Sequence, residues 1–463
     1  MSKRAYILLI ALLAVVLAAC GGCNPNTQPG NPDPIDTPKV EEPDLSLLKQ
    51  SVPVTQDWIY SGKPVFTVHV ENPNQAAVKV ETTVNISTDK GKALLSVKDS
   101  VDVPGSSEKD FELTTESDLD PGFYKADIFV NGKRARRFVF GVDPFDIVSA
   151  PDKQPDFEAF WMTAKEQLAA IPMNANMIEL TSKSSSTRKV YLVELQSVPD
   201  GLTGDPVTVR GYYCEPQDGE KHPVIMHFYG YDTQHTKAKV DCPAGGSSNY
   251  AEFYLSHRGQ YINNRPESSR VPDGLGDLEN IYGDWFAYHF GDKDSYYYRG
   301  AFMDCVRAVD FMASRPTSDM TKLFAEGSSQ GGALSYACAA LSNYPFTAIA
   351  PNVAFLGDYP DYFQIVDWPA ETAKANKGSM TDEEMYAFLS YFDTKNLATM
   401  ISCAVMASSG LQDGTCPPHT NIAPYNNLQT AAQDKEYHFY PEMQHEIPKD
   451  WNSLMKKFFN DRM

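Results

Sequence analysis

Two hydrophobic periodicities divide the chain. Between about residues 50 and 145, short runs alternate apolar and polar positions: Phe66-Thr67-Val68-His69-Val70-Glu71, Val78-Lys79-Val80-Glu81-Thr82-Thr83-Val84-Asn85-Ile86 and Tyr124-Lys125-Ala126-Asp127-Ile128. Successive strand side chains face opposite ways, so a period of two predicts half-buried β-strands. The third run continues to Asn131-Gly132, a pair suited to a two-residue hairpin turn, and a return strand through Phe138-Val139-Phe140. Short alternating strands at this density predict a small immunoglobulin-like β-sandwich. Nothing in it looks catalytic. It reads as a spacer or packing module, with carbohydrate binding as the alternative.

From about residue 150 the pattern changes. Phe157-Glu158-Ala159-Phe160-Trp161 opens a helix after Pro155, and a strand pair is predicted over roughly 189–213. Apolar strand runs follow, Val224 to Tyr229 and Ile401 to Ala407, interleaved with helical stretches such as Ala301 to Ala313. Thr381-Asp382-Glu383-Glu384 supplies an N-cap and a capping-box glutamate for another helix. Strands alternating with helices predict an α/β fold, a mostly parallel sheet covered on both faces.

The N-terminus has its own grammar. Lys3 and Arg4 precede an apolar run from Ala5 to Leu17 that is short for a membrane span. The run ends in Leu17-Ala18-Ala19-Cys20, the pattern of a bacterial lipoprotein signal with Cys20 as the lipidated residue. Prolines 25, 29, 32, 34, 38 and 43 then recur among polar residues with almost nothing to bury, as in an extended tether. The expected organisation is a signal over 1–19, a tether over 20–45, a β-sandwich over 46–148 and an α/β part over 149–463. The expected location is an exported lipoprotein of the outer membrane, on its periplasmic or cell-surface face. Contact with the membrane would be through the lipid anchor only.

Charge and cysteines narrow the chemistry. Lys+Arg 40 against Asp+Glu 60 gives −20, which argues against nucleic acid as a partner, since phosphate binding needs clustered cations. The 8 cysteines become an odd set once Cys20 is lipidated, and beyond Cys20/Cys23 none has metal-ligand spacing. Cys305 and Cys338 fall in helical stretches and read as small buried apolar residues. Neither a metal nor a cofactor is expected.

The decisive segment is Leu323-Phe324-Ala325-Glu326-Gly327-Ser328-Ser329-Gln330-Gly331-Gly332-Ala333-Leu334. An apolar strand runs into Gly-x-Ser-x-Gly and then into a helix of small residues, the arrangement that lifts a serine hydroxyl above the sheet of an α/β-hydrolase. Ser329 occupies the central place; Ser328 does not, because Glu326 and Gln330 flank it at two residues' distance. A serine needs a base, and the base an orienting acid, in the chain order Ser, acid, His. His419 reads as a helix cap and His438 as a strand residue, whereas His445 lies in the loop after that strand. Asp413 follows the strand from Ile401, while Asp358, Asp361 and Asp367 sit in a Tyr- and Trp-rich insertion and read as surface or lid residues. The oxyanion donors would be the backbone N–H of Gln330 and, from Gly230-Tyr231 after an earlier strand, that of Tyr231.

Several ordered motifs together resemble the acetyl xylan esterase / cephalosporin-C deacetylase family. They are His257-Arg258-Gly259-Gln260, Gly327-Ser328-Ser329-Gln330-Gly331-Gly332 and His445-Glu446, with Gly230-Tyr231, Tyr296-Tyr297-Tyr298-Arg299, Gly410-Leu411-Gln412-Asp413, Pro417-Pro418 and Tyr425-Asn426. The resemblance runs from about Asp156 to the C-terminus. It implies metal-free removal of acetyl groups from xylo-oligosaccharides or similar esters, and the triad Ser329, Asp413 and His445. It implies structural roles for Arg258, Gly259, Gln260 and Glu446 beside that triad, and a homo-oligomer. It does not cover residues 21–150. Tyr231 is followed by Asp232-Thr233-Gln234 where the family has glycines, and Ile262 to Asn280 is unlike the common form. The alternatives are a feruloyl esterase or peptidase on the same fold, or an inactive glycan-binding lipoprotein.

Overall fold

A computed structural model describes residues 42–201, 204–233, 240, 249–262 and 280–463. The lipoprotein signal, Cys20, the tether as far as residue 41 and most of the unusual stretch 262–280 lie outside the described residues.

The alternating runs form strands β1 (Lys49–Ser51), β2 (Ile59–Tyr60), β3 (Val65–Asn72), β4 (Val78–Thr88), β5 (Ala93–Val103), β6 (Ser107–Thr114), β7 (Gly122–Val130) and β8 (Lys133–Val142). They make two sheets, ordered β1-β3-β6 and β2-β8-β7-β4-β5. Trp58, Phe66, Phe138 and Phe140 fill the space between them, Trp58 stacking on Phe138 at 4.1 Å. Burying each such side chain stabilises by about 1.5–3 kcal/mol. Asn131-Gly132 joins β7 to β8 with φ of 45° and 76°, as a primed hairpin turn requires.

The second part begins with α1 (Phe157–Ala170), followed by β9 (Asn176–Glu179), β10 (Arg188–Ser197), β11 (Val207–Pro216), β12 (His222–Phe228), β13 (Ala251–Ser256) and α2 (Tyr297–Ala313). It continues through β14 (Ser318–Ser328), α3 (Gln330–Leu341), β15 (Ala348–Asn352), α4 (Tyr359–Ile365), α5 (Ala370–Asn376), α6 (Asp382–Leu389) and α7 (Thr394–Ala398). It ends with β16 (Ala404–Gly410), α8 (Pro418–Asn426), β17 (Lys435–Tyr440) and α9 (Trp451–Asn460). One 9-stranded sheet runs β17-β16-β15-β14-β12-β13-β11-β10-β9. From β13 to β17 the neighbours are parallel; β11, β10 and β9 form an antiparallel edge. Strand order reverses around β12, whose neighbours β13 and β14 both follow it in sequence, so the carboxyl ends of β12 and β14 flank a crevice suited to a ligand.

Asp44–Met463 is one compact unit. Its main core is continuous from Trp58 and Phe140 in the sandwich to Trp161, Phe302 and Phe392 under the sheet. Thr381 caps α6 in the expected box: Glu384 N–H donates to Thr381 Oγ1 and Thr381 N–H to Glu384 Oε2. One strand starts later than its apolar run: Ile401 N–H closes a turn onto Ala398 C=O, and β16 begins at Ala404. Among the described residues no helix is long and apolar enough to cross a membrane. Cys214, Cys305, Cys338, Cys403 and Cys416 are free thiols, all but Cys403 buried.

Candidate active site

The turn from β14 to α3 is built by close approach. A Cβ on Gly327 would stand 2.4 Å from Gly331 O, and one on Gly331 would stand 2.4 Å from Phe228 O at the end of β12. Only glycine lets α3 begin that near the sheet. Between them Ser329 adopts φ 59° and ψ −122°, a left-handed conformation that costs a side-chain-bearing residue strain. Its N–H is anchored on Asn352 C=O at 3.0 Å.

Ser329 Oγ lies 2.9 Å from His445 Nε2, and His445 Nδ1 lies 2.8 Å from Asp413 Oδ2. The three side chains come from the ends of β14, β16 and β17. Asp413 is fixed twice over, because its Oδ1 accepts the N–H groups of Thr415 and Cys416, each at 2.8 Å. Its side chain is 0% exposed, against 27% for His445. A carboxylate can only accept, so Nδ1 carries the proton and Nε2 turns its lone pair to the serine. Ser328 instead accepts from Asn352 Nδ2 at 2.9 Å. A cavity of about 420 Å³ opens over Ser329 and His445, walled by Phe228, Val353, Ile447 and Trp451.

Gln330 opens α3, so its N–H has no partner within the helix and lies at the positive end of the helix dipole. Its side chain is clamped: Tyr298 Oη donates to Gln330 Oε1, and Gln330 Nε2 donates to His257 Nε2, both at 2.9 Å. His257 Nδ1 meets Tyr297 Oη at 2.9 Å, and Tyr297 donates to Arg258 C=O at 2.7 Å. Burial pushes His257 down to about 4, which keeps Nε2 free to accept. Arg258 forms a buried two-point pair with Asp304, at 2.9 and 2.8 Å. Gly259 turns with φ 75°, and Gln260 Nε2 donates to Gly230 C=O at 3.3 Å, holding the segment that leads to Tyr231. Tyr231 Oη donates to Asp284 at 2.6 Å, and its ring packs on Trp285 and Trp368.

The sequence expectations meet this geometry unevenly. Ser329, Asp413 and His445 are brought together, and Arg258, Gly259 and Gln260 brace the neighbouring segments. Glu446 lines the same cavity beside His445, with an exposed side chain and no pair to another described residue. Sequence alone does not mark His257, Tyr297, Tyr298, Asp304 and Asn352 as site residues, although the first three stand inside the family motifs. Two other expectations are corrected. Asp358 is buried, 4% exposed, and pairs with Lys395 at 2.9 Å, so it is neither a surface nor a lid residue. His419 is not a cap but the second residue of α8, buried among Asp89 at 3.1 Å, Asp361 at 3.0 Å and Asp358 at 3.5 Å.

Among the described residues two groups have spacing able to hold a cation: Asp358, Asp361 and His419, and His69, Glu71 and Glu108 on the sandwich. In the first, Lys395 and Lys90 already pair with two of the carboxylates. Burial alone would lower His419, but Asp358, Asp361 and Asp89 outweigh it and hold the imidazole well above its ordinary value, protonated. Neither group includes Ser329, Asp413 or His445.

A mostly parallel sheet carrying a strained serine at a strand–helix turn defines the α/β-hydrolase fold. Residues 147–462 match the model of the acetyl xylan esterase (AXE1) family. The chain belongs to that family and is a carboxylic ester hydrolase acting on acetyl esters. It is similar to the acetyl esterase Axe7A of Xylanibacter ruminicola, 25% identical over 392 residues, 83% of this chain and 84% of that one, a share that reaches into the sandwich. Among solved structures, an acetyl xylan esterase from Paenibacillus is 26% identical with TM-score 0.56, covering 69% of this chain and 98% of its own. Acetyl xylan esterase 1 from Thermoanaerobacterium shares the fold, 23% identical with TM-score 0.53 over 68% and 96% of the two chains.

Proposed function

We propose that the protein removes acetyl groups from acetylated xylo-oligosaccharides or related carbohydrates through an acyl-enzyme on Ser329. The observation that carries this reading is the unbroken relay from Ser329 Oγ to His445 to Asp413, at 2.9 and 2.8 Å. His445 Nε2 takes the hydroxyl proton as Oγ attacks the acetyl carbonyl, and Asp413 stabilises the imidazolium that forms. The N–H groups of Gln330 and Tyr231 are the assigned donors to the oxyanion, and removing one such donor costs about 3–4 kcal/mol in a well-studied hydrolase. Collapse of the adduct returns the proton from His445 to the departing sugar oxygen. Water, activated by the same histidine, then releases acetate and regenerates Ser329. No step calls for a metal or cofactor.

An acidic protein suits an uncharged sugar ester, and both similar solved structures are named acetyl xylan esterases. The test is acetate release across acetylated xylan, mannan, pectin and cephalosporin C, beside feruloyl-sugar and peptide substrates. Acetate from xylan fragments is expected. Release of ferulate or cleavage of peptide in its place would transfer the protein to another hydrolase class, and no turnover of any substrate would favour a glycan-binding role. We also propose that Cys20 is the lipid attachment point of an outer-membrane lipoprotein. Replacing Cys20 should release the protein from membranes in detergent-free fractionation, and unchanged sedimentation would refute the anchor.

A further inference from the structure

We infer that the β-sandwich is a positioning element of the esterase site, holding the loops of Asp413 and His445 in register through Gln412. This rests on the triad reading above. The sandwich meets the α/β part at the two loops that carry the acid and the base. Gln412, the residue before Asp413, accepts the N–H of Val139 at 2.9 Å and donates to Val139 C=O at 3.0 Å. Val139 lies on β8 where β2 does not reach, since β2 pairs only with Gly141 and Val142. The Gln412 amide therefore stands where the next strand of the sheet would be. The same Nε2 donates to Pro441 C=O at 2.7 Å, in the loop that leads to His445. One side chain thus joins the sandwich, the acid loop and the base loop.

Other contacts converge on these loops. Arg136 of β8 reaches Glu442 of the base loop at 2.6 Å, its guanidinium lying 4.5 Å from the centre of the Trp58 ring. At the turn after β4, Asp89 pairs with His419 of α8, the helix that follows the acid loop, and Lys90 pairs with Asp361 at 2.5 Å. The acid and base loops are also laced directly, with Gln412 N–H on Met443 C=O at 2.9 Å and Leu411 N–H on Tyr440 C=O at 3.0 Å. A shift of β8 is therefore passed to both Asp413 and His445. A misplacement of about 1 Å in a reacting constellation can lower turnover by about 10²-fold.

The experiment measures 4-nitrophenyl acetate hydrolysis by the full chain. Gln412→Leu keeps the bulk and removes all three side-chain bonds. It should lower kcat by about 10- to 100-fold with KM within about twofold of wild type, at unchanged folded fraction by circular dichroism. Arg136→Ala should act in the same direction, more weakly, and serves if Gln412→Leu folds poorly. Arg134→Ala, which breaks an exposed pair inside the sandwich at 2.9 Å, should leave turnover alone. The deciding measurement is the double variant. If Gln412 works through Asp413, Gln412→Leu should cost little further in an Asp413→Asn background, because effects that act as a unit do not add. A kcat within twofold of wild type, or an equal loss in both backgrounds, overturns the positioning role. Wild-type turnover by Asp413→Asn alone would overturn the triad reading, and this inference with it.

Discussion

Asp413→Asn separates chemistry from stability because the two carboxylate oxygens have different tasks. Oδ1 accepts two backbone N–H groups at 2.8 Å, so an amide oxygen must occupy that place; an NH₂ there would face two donors. The amide nitrogen is thereby forced to the Oδ2 position, 2.8 Å from His445 Nδ1. It donates where an acceptor is needed. The imidazole answers by carrying its proton on Nε2, towards Ser329, and can no longer take the hydroxyl proton. In serine proteases the equivalent change costs about 10⁴-fold in kcat, or about 5.5 kcal/mol at about 1.36 kcal/mol per decade. Both backbone bonds survive, so stability should move by about 1 kcal/mol or less, whereas Asp413→Ala would strand two N–H groups at about 1–3 kcal/mol each. The assay is kcat on 4-nitrophenyl acetate alongside calorimetric Tm, with the exposed Asp367→Asn as control. An Asn variant within tenfold of wild type, or one whose activity falls only as it unfolds, refutes the tautomer argument.

Ser329→Ala should lose turnover and fluorophosphonate labelling with its fold intact, while Ser328→Ala stays active; the reverse result would move the nucleophile by one residue. Gly300→Ala places a Cβ 2.0 Å from Arg258 Nη1 and must dislodge the guanidinium from Asp304. Breaking a buried pair costs about 3–5 kcal/mol, read by urea unfolding, and a loss below about 1 kcal/mol would show that the pair gives way freely. His419 is raised in the folded state, so its stabilisation is full below the unfolded value near 6.5 and is lost as pH rises through the folded value. The Tm gap between wild type and His419→Gln should therefore be widest near neutral or lower pH and narrow in alkali; a gap constant with pH refutes the imidazolium. On the proposed mechanism His445 performs each proton transfer, so activity should survive exhaustive chelation, and a loss restored by zinc would overturn that assignment.

The elbow was legible because its signal is local: strand, Gly-x-Ser-x-Gly and helix lie within one stretch of chain, and each glycine is demanded by a contact a few ångströms away. Asp413 and His445 were legible because each follows its own strand. What the sequence hid are partnerships across long separations. Arg258 finds Asp304 46 residues on, Gln412 finds Val139 273 residues back, and His419 finds Asp89 330 residues back. No periodicity marks an aspartate as buried when a distant lysine neutralises it, so Asp358 read as a surface residue. Glu446 was legible in part. Adjacency to His445 placed it by the site, where it lines the same cavity, but its side chain is exposed and no pair ties it to another loop.

With Ser329 as the proposed nucleophile, its conformation sets folding and turnover against each other. At φ 59° a serine bears strain of about 1–3 kcal/mol that a glycine would not. Judged by stability alone, glycine is the better residue at position 329, and Ser329→Gly should make an inert protein that melts no lower than the active one. A gene copy released from hydrolysis would therefore have nothing to lose there and something to gain. On that reading the serine stands against the thermodynamic gradient, and selection for turnover is the opposing force.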